Sequence, residues 1–143
     1  MRRFTTYVIA VIIAGSAALV AQKAQTPEDL DKAMKKIGVA NGAMNKAIKS
    51  MAWADARKQL DVVEEALEDA HNFWVVKKKD DAMKMSKDAT AKAETLEDLL
   101  EKSAPDSVAI TASAKEFASS CLGCHKQYRE QDSNQLYILK PGI

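Results

Sequence analysis

The sequence predicts an all-α protein, an antiparallel up-down-up-down four-helix bundle, and three observations carry that expectation. Apolar residues recur at alternating steps of four and three through four long stretches. Five glycines and three prolines are few for 143 residues, which suits long helices better than many turns. The breaks between the stretches are short, and short connections make consecutive helices antiparallel neighbours.

The first stretch opens at Thr26-Pro27-Glu28-Asp29. Thr26 suits an N-cap, Pro27 suits the first helical position, and the two acids face the positive helix end. Its apolar line is Leu30, Met34, Ile37, Asn41, Met44, Ile48 and Met51. Gly38 and Gly42 lower its helix propensity, or let a neighbouring helix or ligand come close. The second stretch runs from about Ala54 to Phe73, with Ala56, Leu60, Val63, Leu67, Ala70 and Trp74 inward and the turn within 75–79. Inside that turn Lys77, Lys78 and Lys79 form a basic run that reads as a solvated loop.

The third stretch starts near Asp80 and ends near Lys102, with Met85, Ala89, Ala93, Leu96 and Leu100 inward. Ser103-Ala104-Pro105-Asp106 then supplies a cap, a proline and an acid for a fourth helix reaching about Glu130. Its line is Ile110, Ala114, Phe117, Cys121, Cys124 and Tyr128. In the tail, Tyr137, Ile138 and Leu139 are candidates to pack back onto the body.

The N-terminus reads as a targeting segment. Arg2 and Arg3 supply a charged start, and Tyr7 to Val20 is an apolar run without charge. Ala21 or Ala24 offers a cleavage point, and the run is short for a full membrane span. Residues 1–24 are therefore expected to be a signal peptide, with an uncleaved anchor as the alternative. That leaves residues 25–143 as one exported, periplasmic domain. A net charge of +1 carries no nucleic-acid or membrane-surface signal.

Both cysteines and one of the two histidines fall in a single pentapeptide, Cys121-Leu122-Gly123-Cys124-His125. C-x-x-C-H reads as a c-type haem attachment site. On one face of a helix, each thiol can bond a vinyl group of one porphyrin. The histidine after the second thiol can offer an imidazole nitrogen to the iron. Three other chemistries use a C-x-x-C. A thioredoxin-like redox pair opens the helix of a βαβ unit, and no strand-rich segment is visible. A closed zinc site needs four ligands, and beyond the motif only His71 is available. A disulfide inside a helix would be strained.

If the helices alternate direction, the start of the first and the end of the fourth meet at one end. Met34 lies about 10 Å along the first helix, and His125 a similar distance from the end of the fourth. Met34 and His125 can then sit at one level on opposite sides of a haem. Met34 keeps a second reading as core filling. Met44 lies about 15 Å further along. Met83, Met85 and His71 fall at the haem end, and His71 reads as a surface or propionate contact. Trp74 and Phe117 read as core or pocket walls.

The chain resembles the class II cytochromes c, the cytochrome c′ family, over nearly all of its length after the export segment. The family ends in C-x-x-C-H-x-x-Y/F-R, matched here from Cys121 to Tyr128 and Arg129. Met34-Lys35-Lys36-Ile37-Gly38 is similar to the M-K-x-I-G of its low-spin members, whose methionine is the sixth iron ligand. Five-coordinate members carry Leu or Phe there and bind NO or CO. Many members also place an Arg one turn earlier, near the haem propionates, where this chain has Leu30.

The resemblance implies one covalent haem c held by Cys121 and Cys124, with His125 and Met34 on the iron. The function expected is periplasmic one-electron transport to a redox protein partner. Lys126 and Arg129 are placed to guide an acidic partner. The alternatives are a haem protein binding NO or CO at an open or displaceable site, and a haem-stabilised interaction module. Homodimers are frequent in the family. No nucleophile–base set, carboxylate pair or phosphate loop appears, so no enzyme is expected.

Overall fold

The computed structural model describes residues 26–134 and 136–143. The export segment expected at 1–24 lies outside the described residues. Four helices make up most of the rest: α1 (Pro27–Lys49), α2 (Trp53–Lys77), α3 (Asp80–Leu100) and α4 (Ser107–Tyr128). Two short strands follow, β1 (Arg129–Gln131) and β2 (Tyr137–Leu139). Among the described residues, no helix is long and apolar enough to cross a membrane.

The first and last helices start at side-chain caps, whereas α2 and α3 start without one. Thr26 and Asp29 form a reciprocal capping box at α1: Asp29 N donates to Thr26 Oγ1 at 3.2 Å, and Thr26 N donates to Asp29 Oδ2 at 3.2 Å. Asp106 caps α4 by accepting from the amides of Val108 (2.8 Å) and Ala109 (3.2 Å). Lys78 ends α2 in the left-handed region at φ 53°. The helix therefore runs four residues past Phe73, and the basic run splits between its last residue, its C-cap and the N-cap of α3.

Pairs across the interfaces give the helix directions. Lys36 of α1 meets Glu65 of α2 at 2.7 Å, and His71 of α2 meets Ser86 of α3 at 2.7 Å. Asp81, at the start of α3, reaches Tyr128 at the end of α4. In every case residues roughly equidistant from the connecting turn face each other, as antiparallel neighbours must. Consecutive helices pack extensively, whereas α1 and α4 touch only sparsely.

The interior divides in two. The main cluster runs from Ile37 and Met44 through Leu60, Val63 and Leu96 to Ile110 and Phe117. The end cluster joins Leu30, Ala70, Phe73, Trp74, Ala82 and Tyr128. It therefore collects the start of α1, the end of α2, the start of α3 and the end of α4.

The expected inward lines hold throughout α2 and shift elsewhere. On α1 the alanines at 33, 40 and 47 are buried, while Met34 and Asn41 are half-buried. A straight helix drifts from a strict seven-residue repeat, so the apolar stripe widens sideways. On α3 Ser86 is buried beside half-buried Met85. Met51 lies beyond the helix, at φ 56°, and is 65% exposed. A Cβ built on Gly38 or Gly42 meets nothing within 4 Å, so neither glycine marks a close helix approach among the described residues.

The tail departs from pure helix. Gln131 pairs with Tyr137, and Arg129 with Leu139, in an antiparallel hairpin. Leu139 and Ile143 reach the end cluster, whereas Tyr137 and Ile138 stay exposed.

Candidate functional site

The motif residues occupy the last two turns of α4. Both cysteines are free thiols, and both are half-buried. Cys121 packs on the main cluster, and Cys124 on the end cluster. The pair therefore straddles the junction between the two. Leu122 and Gly123 face away, with Leu122 65% exposed. The Cys121 thiol donates weakly to the Phe117 carbonyl at 3.7 Å. His125 is half-buried immediately after Cys124.

Met34 reaches the same junction from α1. It is half-buried and packs on both clusters. The other methionines divide. Met44 is fully buried within the main cluster and reads as core filling, and Met83 packs on the end cluster from α3. Met34, Met83 and Cys124 thus line one apolar body from three helices.

Burial sets the ionisation of the motif. It pushes the Cys124 thiol up to about 11, with smaller pushes from Cys121 and the Asp81 carboxylate. Cys121 is raised by the same cause. His125 is lowered, first by burial and then by Arg129, which favours a neutral imidazole with a lone pair to donate. Both thiols remain protonated at neutral pH.

His71 is committed elsewhere. The Ser86 hydroxyl donates to the Met83 carbonyl at 3.0 Å, so it accepts its 2.7 Å bond from His71 Nδ1–H. The ring ties α2 to α3 rather than lying at the surface. Trp74 and Phe117 are buried walls. Trp74 stacks edge-on to Phe73 at 4.9 Å and tilted on Tyr128 at 4.7 Å.

Several residues at the motif were not singled out by sequence reasoning. The Asp81 carboxylate accepts from Tyr128 Oη and from Gln127 Nε2, each at 2.5 Å, and so pins the turn that carries His125. Asp81 is held below the usual carboxylate range chiefly by the Tyr128 bond. Tyr128 is pushed up to about 12 by burial and by that carboxylate. In the sequence, Asp81 reads as an ordinary first-turn acid. Ile143, which the sequence did not single out, closes the end cluster from the tail together with Leu139, which was expected to pack back. Arg129 stacks on the Tyr137 ring at 3.8 Å, which occupies its guanidinium and leaves Lys126 as the exposed cation of the pair.

Two other features lie apart from the motif. Ligand atoms of Asp61, Glu64 and Glu97 fall within 4.8 Å of one another. The Arg57 guanidinium sits among them, pairing with Asp61, Glu97 and Glu101, so a cation already occupies the cluster. An open groove at the opposite end of the helices lies between the end of α1 and the start of α4, lined by Ile48, Met51, Val108 and Lys115.

In comparisons with known proteins, the chain matches no family model, no curated protein and no solved structure.

Proposed function

We propose that the chain is a c-type cytochrome that carries one electron on a single covalently bound haem in the periplasm. The observation that supports it best is two free thiols and a thioether bordering one apolar junction, with a half-buried imidazole favoured in its neutral form next in the chain to Cys124. That donor set fits one haem. Cys121 and Cys124 would hold it through thioethers, and His125 and Met34 would ligate the iron. Haem, when bound, supplies exchange of one electron between ferrous and ferric iron.

The remaining work belongs to the chain. Leu30, Phe73 and Trp74 keep the end cluster dry, and a dry shell disfavours extra positive charge at the centre. A thioether opposite an imidazole acts in the same direction on the potential. Asp81 holds the last turn of α4 through Gln127 and Tyr128. The sparse α1–α4 contact supports this reading as well, because Met34 on α1 and the motif on α4 border the same two clusters while their helices pack far less than consecutive ones do. Lys126, exposed beside the motif, would guide an acidic redox partner, with its effect mainly on encounter rate. Residues 1–24, with their basic start and apolar run, support export.

A second reading, a haem protein binding NO or CO, draws on Met34 being half-buried rather than locked in the core. Absorption spectra of the exported protein, oxidised and reduced, with and without CO, test both. The carrier reading expects low-spin spectra unchanged by CO, and no colour in the Cys121→Ala, Cys124→Ala double variant. High-spin ferric spectra with CO binding support the gas binder. A colourless exported protein, or one holding zinc on its thiols, overturns both.

A further inference from the structure

The chain does not stop at the motif. After α4 it turns back, and its final residues, 136–143, lie against the motif end as a strap. Its start is held by Asp132 and by the pairing of β2 with β1, and three further polar bonds fasten its end to the helices. Lys140 N donates to the Tyr128 carbonyl at 2.9 Å, Lys140 Nζ donates to the Lys126 carbonyl at 3.0 Å, and Lys77 Nζ donates to the Ile143 carbonyl at 3.5 Å. The first two carbonyls belong to the last turn of α4, where a helix leaves its acceptors unpaired. The strap thus fastens to the backbone on either side of Gln127, directly beyond His125. Its apolar contribution is Leu139 and Ile143, which pack on the cluster that also receives Cys124, Met34 and Met83.

We propose that residues 136–143 form the outer wall of the site, and that this wall must swing away before a reagent or cofactor reaches Cys124. The proposal rests on the haem reading only for what the wall encloses. Leu139 and Ile143 end on that cluster while Leu136, Tyr137 and Ile138 remain exposed. The strap is built to open. Its anchors include lysine amines at an exposed surface, its strands are three residues long, and such segments come from the low-stability end of a fold. Cys121 provides an internal reference, since it packs on the main cluster, which receives nothing from the strap.

The test uses the reduced, haem-free chain at one fixed pH, with a disulfide reagent as probe and mass spectrometry resolving the two thiols. Leu139→Ser with Ile143→Ser should speed modification of Cys124 by about tenfold, the scale expected when an apolar contact stops holding an opening equilibrium closed. Cys121 should change much less, and Leu136→Ser should change neither thiol. The milder Leu139→Ala variant should give a smaller shift in the same direction. Unchanged Cys124 kinetics in the double and milder variants overturn the proposal, and so does equal acceleration of both thiols, which reports general unfolding. A protein that never acquires haem but accelerates selectively at Cys124 refutes the haem reading and leaves the wall intact.

Discussion

Raising the pH on the reduced, haem-free chain should show how firmly burial holds Cys124 protonated. Its thiol is pushed from 9.0 to about 11, with burial the largest cause. At pH 8 a thiol ionising at 9.0 is about one-tenth thiolate, whereas one ionising near 11 is about one-thousandth. The more basic thiolate is the better nucleophile, and with a Brønsted slope of about 0.45 the two units return roughly eightfold. The hundredfold deficit therefore shrinks to alkylation roughly tenfold slower than an unperturbed cysteine, before any steric shielding. The assay is timed iodoacetamide pulses from pH 7 to 10, with fragment-ion mass spectrometry separating Cys124 from Cys121. The Cys124 rate should climb through pH 10 without a plateau. Asp81→Asn removes the smallest of the three contributions, so it should lower the midpoint and still leave it above 9.0. A plateau below about pH 9.5 in the unmodified chain would refute the reasoning, because the thiol would then be solvated rather than buried. One consequence concerns the proposed haem attachment, which is favoured in an unfolded chain, where both thiols return towards their ordinary values.

Three further outcomes are expected. Met34→Leu keeps an apolar side chain of similar volume, so the haem-free chain should lose less than about 1.5 kcal/mol. The haem-bound variant should turn high-spin and bind CO, while Met44→Leu leaves the spectrum as it was; an unchanged Met34→Leu spectrum removes Met34 as a ligand. Phe117→Ala empties a fully buried position in the main cluster and should cost about 3–5 kcal/mol in urea unfolding. Glu64 is held above 4.5 first by burial and then by Glu97. A raised folded pKa favours the neutral carboxyl, so its stabilising effect is present below pH 4.5 and is lost as pH rises through the folded value. Glu64→Gln should therefore gain in urea midpoint relative to the parent chain at pH 7 and lose that advantage at pH 4.

The helices were legible because their signals are local. Thr26-Pro27-Glu28-Asp29 writes a start in four residues, and the capping box forms there as expected. At α4 the start falls later than the cap expected at Ser103, because the Asp106 side chain itself takes the N-cap and leaves Pro105 outside the helix. The end of α2 was less legible. No glycine or proline follows Phe73, and the stop comes instead from Lys78 adopting a left-handed backbone that favours no lysine in particular. The half-burial of Met34 was illegible for a different reason. The seven-residue line runs through it, but Ala33 and Ala40 on the adjacent stripe are small enough to bring α1 closer along that side.

The site divides along the same boundary. Cys121, Cys124 and His125 could be read directly because they are adjacent on one helix, and Met34 could be placed with them because alternating directions bring the first and last helices to one end. Asp81 and Ile143 had no such signal, and Leu139 only the apolar character of the tail. Each acts across the fold: Asp81 through hydrogen bonds 46 and 47 residues along the chain, Leu139 and Ile143 through a hairpin that exists only once α4 has ended. The two groups do different physical work. In the proposed reading the local residues would supply donor atoms, whose identity must be written in sequence. The distant ones supply exclusion of water and a fixed helix end, which many apolar or hydrogen-bonding residues could provide. A pattern can therefore name the ligands of such a site, whereas what tunes it is set by packing alone.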